Sequence, residues 1–411
     1  MTVSSPATEA VAAPRHGLAF TEFVAIVAAL MALNALAIDV MLPALGDIGK
    51  AFALADPNDR QKVVIVYLLG FGAAQLVYGP MSDRFGRRPV LLGGLTLYAL
   101  AGLLSLFADT MDHLLLARLL QGIGCAAPRV VALSVVRDCY SGARMGKVMS
   151  LVMMVFMTVP VIAPSIGQLI LFVAPWRAIF LMLTVGGFAM LIWCALRLGE
   201  TLPKAERRRF SLSAVASAYM ATLRTRTTLG YMLATTLIFG ALFAFIASAQ
   251  QVYVDVFDLG ASFPVVFALA GSALAAASFL SASLVERIGL RPLSHWALVA
   301  YCAISCIQVV VALTAGSSLV PFTVLLLLAV FSFGLVGPSF NAIAMEPLGH
   351  IAGTASAMLG FVTTSGGAAL GFLVSSHFDG TVLPLTLGFA GFSLLALGVV
   401  AWTERGRVFR L

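Results

Sequence analysis

Charge is scarce in this sequence. Only 10% of its 411 residues are Asp, Glu, Lys or Arg, against 61% hydrophobic, whereas soluble domains carry about 25% charged residues. Such a chain cannot cover a water-facing surface, which excludes a soluble protein and implies one integral to a membrane. Cysteine is sparse too. Cys125, Cys194, Cys302 and Cys306 fall in apolar runs and Cys139 in a basic connection, with no metal-site or disulfide-framework spacing. Cys302 and Cys306, four apart, read as buried packing residues. The histidines His16, His113, His295, His350 and His377 fall at termini, loops or span edges. There is no H-E-x-x-H cluster, phosphate loop or G-x-S-x-G elbow. These absences argue against a membrane enzyme and imply neither metal nor cofactor. With no ATP-binding sequence, any pumping must draw on an ion gradient.

What the chain has in abundance is long apolar runs. A spanning helix needs roughly 20 mostly apolar residues, and twelve such runs are predicted. The first six cover 18–43, 62–80, 89–109, 113–137, 146–172 and 176–198. The second six cover 228–255, 262–285, 291–314, 318–345, 350–376 and 381–402. The polar segment 1–17 shows no cleavable signal, and the first apolar run is too long for a signal h-region. It is expected to be a disordered cytoplasmic N-terminus. The only long hydrophilic stretch, within 199–227, divides the chain near its middle. The expected domains are therefore bundles at 18–198 and 228–402, an interdomain linker at 199–227 and a cytoplasmic tail at 403–411.

Charge placement tests this plan. Of the 25 Lys and Arg, only Lys50, Arg60, Lys62 and Arg177 fall on the side opposite the termini, and Arg118 and Arg129 fall inside helices. The rest flank the side that carries both termini. By the positive-inside rule that side is cytoplasmic. The net charge of +7 then reflects topology and anionic headgroups rather than nucleic acid.

The two halves echo each other. "GPMSDRFGRRP" begins at Gly79 and "ASLVERIGLRP" at Ala282, so that Asp83 aligns with Glu286, Arg84 with Arg287, Gly86 with Gly289, Arg88 with Arg291 and Pro89 with Pro292. Two similar six-helix halves in parallel order are the plan of a secondary transporter. The first segment resembles the signature loop of the major facilitator superfamily, G-x-x-x-D-R-x-G-R-R/K. In it, Gly79 and Gly86 permit close approach and sharp turns, and Arg84, Arg87 and Arg88 supply inside charge. Asp83 is expected to accept from a neighbouring helix end or a basic partner such as Arg137. The resemblance implies an interdomain gate. "LARLLQGIGCAA", with Arg118, Gln121 and Gly122, resembles the R-x-x-Q-G pattern of helix 4. "TVPVIAPSIGQ", with Pro160, Pro164 and Gly167, resembles the helix 5 motif of antiporters; its prolines remove two helix donors and should kink the span. "AIDVMLPAL", "VVRDCY", "FAFIASAQQVYVDVF" and "GTASAMLG" are similar to the Bcr/CflA branch of the twelve-helix drug:proton antiporters. This resemblance covers residues 18–402. It implies an all-α fold of two pseudo-symmetric six-helix bundles, a monomer, and residence in the bacterial inner membrane. Departures at Gln168, at Pro128–Arg129 and at "AQQ" bear on the substrate.

Three charges lie deep in the predicted spans: Asp39, Arg118 and Arg129. Each costs at least ~2.5–3.5 kcal/mol there and normally marks an ion or substrate path. Asp39 is expected roughly 25 Å along helix 1 and Arg118 about 7–8 Å below the outer surface. Arg129 lies roughly 16 Å deeper on nearly the same helix face. Depth therefore predicts that Asp39 meets Arg118. A guanidinium nearby favours the ionised acid and lone burial the protonated one, so a change in their separation would capture and release a proton; the alternative is a static salt bridge. Arg129 binds an anionic substrate group or a backbone carbonyl in the central cavity, or bends inward to Asp138.

By resemblance, helices 1, 4, 7 and 10 line the pathway. Asn34, Gln121, Arg129, Phe243, Gln250, Gln251 and Asn341 are then candidate cavity residues, with Phe245, Phe331 and Phe333 as further aromatic walls. Helix packing is the alternative for each. Asp255 and Asp258 are expected solvated at the outer mouth. The leading expectation is a proton-driven antiporter that exports small amphipathic drugs or toxic compounds. The alternatives are a dedicated exporter of one metabolite and a proton-linked uptake symporter.

Overall fold

The computed structural model describes residues 17–207 and 212–406. The expectations for residues 1–16, for 208–211 in the linker and for 407–411 in the tail lie outside the described residues. The described chain is helical, without a strand, and 12 helices are long and apolar enough to cross a membrane. They are span 1 (Phe20–Ala51), span 2 (Pro57–Phe85), span 3 (Arg87–Leu106), span 4 (Met111–Cys139), span 5 (Arg144–Val173) and span 6 (Arg177–Arg197). The second half holds span 7 (Arg226–Val256), span 8 (Gly260–Ile288), span 9 (Leu290–Ala315), span 10 (Leu319–Gly349), span 11 (Ala352–Ser375) and span 12 (Leu383–Thr403).

Several spans outrun their apolar runs. Span 2 continues through Pro80 to Phe85, so most of the supposed signature loop is the last turns of a helix. The turn itself is Gly86, at φ 104°, a backbone region that favours glycine. A β-carbon there would also overlap the Glu200 carboxylate. Span 5 contains Pro160 and Pro164 within one continuous helix. The linker is not merely hydrophilic: Leu212–Arg224 is a helix, and its Tyr219 hydroxyl donates to the Leu76 carbonyl at 2.8 Å.

The packing repeats from half to half. Span 1 packs on spans 4 and 5, span 2 on span 4, and span 3 on spans 4 and 6. Their counterparts do the same: span 7 on spans 10 and 11, span 8 on span 10, and span 9 on spans 10 and 12. The halves meet where span 5 packs on span 8 and span 2 on span 11, two contacts that interchange when the halves are interchanged. Small residues bring these helices together. A β-carbon on Gly271 of span 8 would press on Val161 of span 5, and one on Gly72 of span 2 would overlap Ser365 of span 11.

Candidate transport site

Span 1 is α-helical from Phe20 to Asp39, turns at Val40 and Met41, and resumes as a tight 3-10 turn over Leu42–Ala44. Pro43 accounts for the break, because it has no N–H to offer the Asp39 carbonyl four residues earlier. Asp39 is thus the last residue of a helix inside the molecule. It is only 4% exposed, and it has no hydrogen-bond or ion-pair partner among the described residues. Gly167 of span 5 packs directly against the break, where a β-carbon would overlap the Val40 carbonyl. The antiporter-like motif therefore touches span 1 one residue beyond its buried acid.

Arg118 does not meet the Asp39 carboxylate. Fully buried, it donates to the Ala37 carbonyl at 3.1 Å, the Val63 carbonyl at 3.1 Å and Gln121 Oε1 at 2.7 Å. Its guanidinium also lies 4.3 Å from the Tyr67 ring and 5.9 Å from the Phe180 ring. The physical reason is the break: the Ala37 carbonyl belongs to the last turn of a helix, where carbonyls lack helical partners. Arg118 satisfies it and ties spans 1, 2 and 4 together. The depth match holds to within two residues, but the bond goes to backbone.

At the end that carries Phe20 and Thr403, Arg87 is the hub of the gating residues. Its side chain bonds Asp83, Ser82 Oγ at 2.8 Å and Asp138 at 2.9 Å, and its backbone N–H donates to Glu200 at 2.9 Å. Arg88 donates to the Ala195 carbonyl at 2.7 Å. Arg137 takes no part; it is exposed and donates to Leu133 O at 3.3 Å. Arg84 is exposed over the Phe85 ring, and Gly79 sits in open space. Asp138 and Glu200 are members that the sequence reading missed, although "VVRDCY" contained the first. Because Asp138 is held by Arg87 and by Thr201 at 3.2 Å, it is no partner for Arg129. In the second half Arg291 does what Arg87 does in the first, reaching Glu346 at 2.9 Å and Glu404 at 3.4 Å. The sequence echo had aligned Arg291 with Arg88. Glu404 also accepts from Tyr231 at 2.7 Å, and the Tyr231 hydroxyl is 2.8 Å from Nε2 of His295, which is buried rather than at an edge.

At the far end the halves are clasped. Arg60 pairs with Asp255, so that Asp255 is bound rather than free in solvent. Gln61 bonds Gln251, which in turn donates to Asn58 at 2.8 Å. Asn58 donates to the Ser376 and Phe378 carbonyls at 3.2 and 3.0 Å. Among the described ion pairs, the Arg60–Asp255 pair alone joins the halves.

The family model for the Major Facilitator Superfamily matches residues 24–372. The chain belongs to that superfamily. It is a transporter rather than an enzyme, and a multi-pass membrane protein. It is 31% identical to an uncharacterised transporter of this type, YdgK of Bacillus subtilis, across 86% of this chain and 88% of that one. It is 29% identical to a bicyclomycin resistance protein homologue of Haemophilus influenzae, across 85% of this chain and 87% of that one. Among solved structures, a D-xylose–proton symporter superposes with a TM-score of 0.71 at 14% identity, covering 92% of this chain and 96% of that one.

In this member of the superfamily the candidate cavity residues have the following partners. Asn34 accepts from the Tyr67 hydroxyl at 3.1 Å, and Gln121 accepts from Arg118. Gln251 belongs to the far-end clasp, and Gln250 lies against Gly46 beside it. Phe243 packs on Gly367 and Gly371 of span 11, Phe245 stacks on Phe267, and Phe333 meets Phe239 edge-on. Asn341 is exposed near the end of span 10. Arg129 is half-buried, with its guanidinium 5.5 Å from the Phe156 ring of span 5.

Proposed function

We propose that this transporter exports small amphipathic drugs or toxic compounds in exchange for protons, and that Asp39 carries the proton. The observation behind this reading is the position of Asp39: buried, without a cation, at the break in span 1 against which the span 5 motif packs. A carboxyl that no ion pair holds takes up or gives up a proton as its access to water changes. Span 5 supplies the coupling. It touches the break at Gly167 and the other half at Val161, so rocking of the halves alters the surroundings of Asp39. Arg118 acts on the site indirectly, by fixing the end of the helix that bears it. The clasped far end and the basic end beside the termini support outer and cytoplasmic faces, respectively, with both termini in the cytoplasm of a bacterial cell. The bundles 18–198 and 228–402 are then the moving bodies, joined by the linker. Drug export is supported by relatives named for bicyclomycin resistance and, in Shigella dysenteriae at 29% identity, for multidrug resistance. The energy source is the proton gradient.

The test is transport in liposomes with an imposed pH gradient, screening chemically diverse drugs for uphill movement and coupled proton release. Wild type is expected to couple the two, and Asp39→Asn, which keeps shape but cannot titrate, to lose gradient-driven transport. Normal uphill transport by Asp39→Asn would refute the assignment. Uphill movement in the same direction as the protons would make the chain a symporter.

A further inference from the structure

Arg129 lies over an aromatic ring but meets no oxygen acceptor among the described residues. Of the arginines that are not exposed, Arg60, Arg87, Arg207 and Arg291 reach carboxylates. Arg88, Arg118, Arg177 and Arg226 reach carbonyl oxygens. Arg129 has no oxygen partner among the described residues, and its Nη1 is sealed from solvent with its donors unbonded. A guanidinium carries five donors and does not lose its charge in proteins. Leaving it unpaired within a span is costly, and such groups persist where they act. The acid nearest in sequence, Asp138, is committed to Arg87 and Thr201.

Position adds chemistry. Arg129 follows Arg118 by eleven residues, about three turns, so both lie on nearly one face of span 4. That face meets spans 1 and 2 at Arg118 and the span 5 aromatic Phe156 at Arg129. One group is a planar cation and the other an apolar ring, with the guanidinium over the ring and the two contributed by two spans of the same half. The combination fits a flat apolar body bearing one anionic group: the ring of the ligand against Phe156, its carboxylate or sulfonate taken by the guanidinium in two parallel hydrogen bonds.

The geometry points to Arg129 as an anion-recognising subsite, so that this transporter selects amphipathic aromatic monoanions over their neutral isosteres. This rests on the export reading above for its physiological meaning, but not for its test, which needs neither gradient nor transport. The probes are 1-naphthoate and 1-naphthamide, alike in shape and different in charge. Equilibrium dialysis of radiolabelled probe against the full-length protein in nanodiscs, with empty nanodiscs as blank, gives saturable binding. Wild type is expected to prefer naphthoate by about tenfold or more, because an unpaired site charge penalises the neutral ligand. Arg129→Gln is expected to abolish the preference while leaving naphthamide binding in place, and Arg129→Lys to keep part of it. Equal binding of the two probes by wild type, an absence of saturable naphthoate binding, or an unaltered preference in Arg129→Gln overturns the proposal. If Arg129→Gln fails to fold, the wild-type preference and the Arg129→Lys variant decide the matter.

Discussion

At the scale of single residues, the costly groups were legible in the sequence and their partners were not. A charge in an apolar run stands out against its neighbours, so Asp39, Arg118 and Arg129 were found at once. Pairing them by depth counts side chains and overlooks backbone carbonyls, which become acceptors only where a helix breaks. For that reason Arg118 was assigned to a carboxylate and is found on Ala37 and Val63. Asp83, expected to meet a helix end or a basic partner such as Arg137, pairs instead with Arg87 one turn on. A specific consequence concerns Arg118→Leu. It leaves the two carbonyls without a donor in a site that water does not reach, at about 1–3 kcal/mol for each. The thermal unfolding midpoint of the purified protein should fall clearly below that of wild type, and an unchanged midpoint would show that these bonds contribute nothing.

At the scale of helices, apolar length located all the spans but not their internal geometry. Hydropathy ended span 2 at its first polar residues, although the helix runs on through them. Prolines differ in effect. Pro43 breaks span 1 because the chain there turns into a tight 3-10 segment, whereas Pro160 and Pro164 are absorbed within a continuous span 5. Glycine shows where helices touch. Gly167 sits against the Val40 carbonyl, while Gly146 of the same span has open space around its α-carbon. Gly167→Leu must push span 5 off the break and should abolish gradient-driven transport in liposomes. Gly146→Ala, placed where nothing obstructs a methyl group, should transport as wild type does. Equal activity of the two variants would mean that the contact with span 1 has no part in coupling.

At the scale of the molecule, the duplication visible in two short sequence segments extends to the whole packing scheme, which repeats from half to half. The far-end clasp was not legible, because Arg60 and Gln61 lie far in sequence from their partners Asp255 and Gln251 and resemble ordinary loop residues. Removing the charge with Asp255→Asn should loosen it. In a background lacking the five native cysteines, spin labels at positions 55 and 261 report the far-end separation by double electron–electron resonance. The variant should populate longer distances than the parent, and an identical distribution would show that the ion pair does not hold the halves. Such opening matters because alternating exposure of one buried carboxyl underlies the proposed exchange of protons for drug. The most direct measurement is therefore infrared difference spectroscopy of the purified transporter across a pH titration, comparing wild type with Asp39→Asn. The account predicts a protonated-carboxyl C=O band that titrates in wild type and is missing from the variant. Spectra in which Asp39→Asn removes no titrating carboxyl band would contradict it.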